Sequence, residues 1–92
     1  METKPKIDQF LDADGRIKQL PSKMKARLAV LEYLADKFER GRDYTEKQVN
    51  AICEEWHTFG DFTLLRRELI DFSLMNREPN GSRYWRPEEE NA

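Results

Sequence analysis

Apolar residues fall at helical spacing in three stretches of the chain and then give way to two short arms around a turn. Met24, Leu28, Leu31, Ala35 and Phe38 recur at steps of four and three, which predicts a first helix over about Lys23 to Glu39 with one apolar stripe. Val49, Ile52, Cys53 and Trp56 give the same face to a second helix, predicted to bury against the first. Phe62, Leu65, Leu69 and Phe72 give it to a third, in which Leu64 and Ile70 lie off the stripe and call for extra cover. Ahead of these, Ile7, Phe10 and Leu11 suit one turn tucked on the body. Asp12 to Gly15 suits a turn, and Arg16 to Leu20 reads as a short strand ended by Pro21. After them, Leu74, Met75, Tyr84 and Trp85 flank Pro79-Asn80-Gly81-Ser82, where Asn80-Gly81 favours a hairpin with a two-residue type I′ turn.

Local signals sharpen the helix ends. Ser22 is placed to cap the first helix and Gly41 to stop it. Thr45 and Gln48 form a T-x-x-Q capping box, and Tyr44 and Val49 occupy the two positions of a hydrophobic staple, so the second helix has the clearest start in the chain. Gly60 suits a left-handed helix end, and Asp61 a cap for the third helix. The expected fold is α+β, mainly α. It is a winged helix-turn-helix of short strand, three helices and C-terminal β-hairpin wing, with an arm over residues 1–9, the domain over 10–86 and an acidic tail over 87–92.

A chain of 92 residues has room for one such domain, and 38% hydrophobic against 37% charged residues leaves enough apolar side chains to bury a core. The single Cys excludes an intramolecular disulfide, and no long apolar run marks a signal or a membrane span; a cytoplasmic location without a membrane partner is expected. The formal net charge of −2 argues against holding nucleic acid by overall attraction. Distribution tempers this, because Glu88, Glu89 and Glu90 gather acid in the tail while Leu64 to Arg86 holds more Arg than Asp plus Glu.

Cys53 and His57 stand four apart on one predicted helix, a spacing that suits a shared metal or a thiolate–imidazolium pair. A structural zinc needs about four ligands, and only carboxylates such as Glu54 or Asp61 are near enough to complete a set. Cys53 also falls on the inner face, where desolvation disfavours the thiolate. A buried small Cys and a helix-terminal His bound to the last carbonyls is the simpler expectation. With no Gly-rich phosphate loop and no paired-carboxylate motif, neither an enzyme, a cofactor, a metal nor a small-molecule substrate is expected. Thr63, Arg66 and Arg67 on the third helix, with Arg77, Arg83 and Arg86 in the hairpin, are the candidates for contact with double-stranded DNA. Glu68, Asp71 and Glu78 are near enough in sequence to neutralise some of them. Of the adjacent Tyr84 and Trp85, which face opposite sides of a strand, one should be buried. Ile70 and Trp85 are the candidates for a protein interface, either a homodimer or a partner protein, in a chain that acts as an interaction module without direct DNA contact.

Taken together, Phe10-Leu-Asp-Ala-Asp-Gly-Arg16, Leu20-Pro-Ser-Lys23, Leu31-Glu-Tyr-Leu34, Tyr44-Thr-Glu-Lys-Gln-Val-Asn50, Leu65-Arg-Arg-Glu-Leu69 and Gly81-Ser-Arg-Tyr-Trp-Arg86 resemble a bacterial domain-of-unknown-function family, number 2087 in its series. The resemblance spans Phe10 to Arg86. It implies a winged-helix-like domain that stands alone or forms the C-terminal part of bacterial transcriptional regulators with a separate helix-turn-helix, where it would serve as sensor or dimerisation module. The sequence departs from the family pattern at Cys53, in place of a larger aliphatic residue, and at Ser73, where Gly is common. The helix and hairpin also resemble, in layout only, those of metal- and drug-sensing winged-helix repressors.

Overall fold

The computed structural model describes residues 6–88. A single 3-10 turn over Asp8–Phe10 comes first, and its apolar flanks Ile7, Phe10 and Leu11 lie on the core as expected. Three helices and three two-residue strands follow in the order α1 (Met24–Ala35), β1 (Asp43–Tyr44), α2 (Glu46–Glu55), α3 (Phe62–Asp71), β2 (Asn76–Arg77) and β3 (Tyr84–Trp85). The strands form one antiparallel sheet in the order β1-β3-β2, with Tyr84 opposite both Tyr44 and Arg77. The result is an α+β, mainly α, winged-helix-like layout. What was expected of residues 1–5 and of Glu89 and Glu90 falls outside the described residues.

The strand of the sheet lies elsewhere than predicted. Arg16–Leu20 contributes only Ile17, which bridges Leu11 on one side and His57 on the other. Its N–H donates to the Trp56 carbonyl at 2.7 Å and its carbonyl accepts from Thr58 at 3.0 Å, so this segment fastens the α2–α3 junction and never reaches the sheet. Arg16 adds to the same seam, donating from Nε to the Glu55 carbonyl at 2.8 Å and from Nη2 to the His57 carbonyl at 3.2 Å. These are carbonyls that a helix end leaves without partners. The third strand comes from Asp43–Tyr44, two residues whose sequence signal was the staple of α2.

Helix α1 begins at Lys23 with no side-chain cap, so Ser22 does not play that part; Arg27 instead donates from Nη1 to the Pro21 carbonyl at 3.2 Å. It ends at Ala35, short of Glu39, where Lys37 and Phe38 donate to the carbonyls of Leu34 and Ala35 in tighter i→i+3 bonds. The buried Phe38 ring meets Tyr44 edge-on at 5.2 Å, and the Tyr44 hydroxyl accepts from the Glu39 N–H at 2.8 Å. That pair folds the chain from α1 into β1. The buried stripe of α1 is Val30, Leu31, Leu34 and Ala35, while Met24 is 59% exposed.

Helix α2 starts as predicted. Thr45 Oγ1 accepts from Gln48 N–H at 3.1 Å, Gln48 Oε1 accepts from Thr45 N–H at 2.9 Å, and Tyr44 and Val49 are both buried. Val49 and Cys53 turn inward, but α2 packs mainly on α3 and not on α1. Arg27 of α1 and Glu68 of α3 join those two helices by a two-pronged ion pair at 2.7 and 2.9 Å. Glu68 is thereby taken from the neighbouring arginines it was expected to neutralise.

Candidate functional site

Helix α3 is held firmly at both ends, and this fixes what its outer face presents. At the start, Asp61 Oδ1 accepts from Leu64 N–H at 3.1 Å, while the Asp61 N–H itself donates to His57 Nε2 at 2.8 Å. At the end, Leu74 N–H donates to the Leu69 carbonyl at 2.9 Å and Ser73 N–H to the Ile70 carbonyl at 3.0 Å, which is a complete Schellman motif. Its left-handed residue is Ser73, at φ 62°. Leu65 and Leu69 fill the core, so Thr63, Arg67 and Ile70, four and three residues apart, share the outward face.

Between that face, the first turn of α2 and the strands β2 and β3 runs an open groove of about 390 Å³, lined by Glu46, Thr63, Arg66, Arg67, Ile70, Asp71, Arg77 and Tyr84. Four of the six predicted DNA-contact residues thus come together: Thr63, Arg66, Arg67 and Arg77. Arg66 is half-buried and lies across to α2, where Nη1 donates to Asn50 Oδ1 and stands 3.6 Å from Glu46 Oε2. The same Glu46 oxygen accepts from the Tyr84 hydroxyl at 3.3 Å. Burial, then the Glu46 charge, holds the Tyr84 pKa above its ordinary value. Arg67 and Arg77 make no ion pair or hydrogen bond among the described residues.

The other two arginines are engaged away from this groove. Arg83 donates to Asp43 at 3.0 Å and Glu78 at 2.7 Å and lies 4.2 Å over the Trp85 ring, so it ties β1 to the hairpin. Its hydrogen bonds, to Glu78 first, raise its pKa further. Arg86 reaches the Phe38 carbonyl at 3.2 Å and Asp36 at 2.7 Å, lining a different, polar cleft of about 650 Å³ with Arg40 and Glu88. Of the two interface candidates, Ile70 is half-buried in the groove and Trp85 is half-buried under Arg83; Tyr84 is the buried member of its pair.

The hairpin turn departs from prediction. Gly81 N–H donates to the Glu78 carbonyl at 2.8 Å and Glu78 N–H to the Arg83 carbonyl at 2.9 Å, closing a turn with Pro79 at its second position. Only Gly81, at φ 77°, takes the left-handed region, and Asn80 does not, so the loop is longer than a type I′ turn. Asn80 serves instead through Oδ1, which accepts from Ser82 N–H at 3.0 Å.

Cys53 and His57 do not form a joint site. The His57 ring is buried and donates from Nδ1 to the Cys53 carbonyl at 2.6 Å while Nε2 accepts from the Asp61 N–H at 2.8 Å, so it links the end of α2 to the start of α3. Burial pushes the Cys53 thiol up to about 12, and no group of three potential metal ligands occurs among the described residues. No helix among them is long and apolar enough to cross a membrane.

Sequence reasoning missed Glu46 and Asn50. Their i, i+4 spacing puts both on one face of α2, and the capping box made Glu46 look like a helix-start residue alone. The profile of a bacterial family, described as an uncharacterised protein conserved in bacteria, matches residues 16–86. No curated protein and no solved structure matches the chain.

Proposed function

The chain belongs to that family, DUF2087, and we propose that this member binds double-stranded DNA in bacterial transcription control, with α3 toward the major groove and the β2–β3 hairpin as a wing on the adjacent backbone. The observation that carries this reading is the pair Arg67 and Arg77. They line one groove, one on a helix and the other on the hairpin, and neither forms an ion pair or hydrogen bond among the described residues. Unpaired guanidinium groups on a small domain are suited to phosphate oxygens. Thr63, near the start of α3, is exposed and offers a hydroxyl to the same surface.

The acidic residues of the groove and the net charge of −2 limit the contact to a few phosphates. Fluorescent duplex titrated from about 50 to 200 mM salt should therefore give a log–log slope of about 2, one unit for each freed counterion. Arg67→Ala and Arg77→Ala should each weaken binding and flatten that slope by about one unit. Absence of binding by the wild-type chain near 50 mM salt would overturn the proposal. The function would then fall to the protein-interaction module, with Ile70 at its centre.

A further inference from the structure

We propose that Glu46 is an internal stand-in for a phosphoryl group: its carboxylate rests on Arg66 and the Tyr84 hydroxyl in the groove that Arg67 and Arg77 also line, and the anionic ligand binds by displacing it. This deepens the DNA reading of the same groove by naming the atom group that must leave. Three arginines line the groove against the two acids Asp71 and Glu46, and Glu46 reaches it from the first turn of α2. Its hold is loose. The Arg66–Glu46 separation of 3.6 Å and the Tyr84–Glu46 bond of 3.3 Å contrast with 2.7 Å for the Arg27–Glu68, Arg83–Glu78 and Arg86–Asp36 contacts of the same molecule. The Glu46 side chain is 49% exposed, so it has room to swing into solvent.

The cation stays behind when the carboxylate leaves. Arg66 is anchored a second time, by Asn50, and its side chain is only 21% exposed. A phosphoryl group entering the groove would meet a guanidinium already aimed, with Arg67 and Arg77 to either side and no residual pairing to break at those two. A backbone phosphodiester matches the carboxylate in charge and in its two free oxygens, so its advantage lies in also meeting Arg67 and Arg77, which Glu46 does not pair with; inorganic phosphate adds more charge and more acceptors. Until displaced, Glu46 repels incoming anions and so sets the affinity of the groove.

Glu46→Gln keeps a hydrogen-bond acceptor for Tyr84 and Arg66 but removes the charge. It should tighten duplex binding by roughly fivefold near 50 mM salt, the order expected for one nearby like charge at a surface, and steepen the salt slope by about one unit as Arg66 gains a phosphate. Exchanging chloride for inorganic phosphate at fixed ionic strength should raise its melting temperature more than that of the wild type. Adding Arg66→Ala should abolish both gains. If Glu46→Gln gains phosphate stabilisation while neither chain binds duplex, the stand-in role holds for a small phosphate ligand and the DNA reading falls. If both chains bind duplex equally, the DNA reading stands and the stand-in role is overturned. A folded Glu46→Gln that gains nothing for either ligand overturns it as well.

Discussion

Ser73 is the one described residue other than glycine with positive φ, at 62°. A side chain there places Cβ against backbone, at a cost of about 1 kcal/mol that glycine avoids. The surrounding geometry leaves no alternative, since the Schellman bonds from Ser73 and Leu74 close α3 and aim the chain into β2. Ser73→Gly should therefore stabilise the domain by about 0.5–1 kcal/mol, less whatever the freer unfolded chain takes back; urea unfolding of the two proteins checks it. The sequence marked Ser73 only as a departure from the pattern it resembles, and the positive φ there was not read from it. The roles of other single residues were legible where chemistry left one option. An imidazole four residues past Cys53 at a helix end was expected to seek the last carbonyls, and it does so at 2.6 Å. Of the arginine destinations only the Arg83–Glu78 pair was legible, because Arg83, Arg86 and Arg66 also pair with acids remote in sequence, Asp43, Asp36 and Glu46.

Among the local start signals, those of α2 and α3 came out where the sequence put them, while the Ser22 cap of α1 did not form. The capping box of α2 and the Asp61 cap of α3 depend on residues within one turn of each other, which a sequence displays directly. Loss of the first should show in stability alone, with Thr45→Ala costing about 1 kcal/mol by thermal or urea unfolding and leaving the relative affinities of any ligands unchanged. Elements decided by distant partners were misplaced. Arg16–Leu20 has the alternation of a strand, yet its hydrogen bonds go to Trp56 and Thr58; Asp43–Tyr44 has none of that alternation, yet it pairs with β3 across about half the chain. A strand of two residues carries no periodicity to read. The early end of α1 has the same origin, since the Phe38–Tyr44 contact that bends the chain there joins residues from two different elements.

At the scale of the molecule, layout was more legible than surface. Three apolar stripes and a turn-centred hairpin specified three helices and two strands, and the core formed where the stripes converge. The groove was legible only in part, because which cations stay free depends on how acids from α2, β1 and the hairpin fold over them. The sheet order β1-β3-β2 has a consequence for how the protein is made. The last strand to be synthesised is the central one, so on the ribosome β1 and β2 have no sheet partner until Tyr84 and Trp85 have emerged. All three helices are already outside by then. Until then Tyr44 lacks the strand residue it pairs with. A chain ending at Arg83 would hold every helix and still lack both strand pairings; it should keep helical circular dichroism while losing the cooperative thermal transition of the full chain.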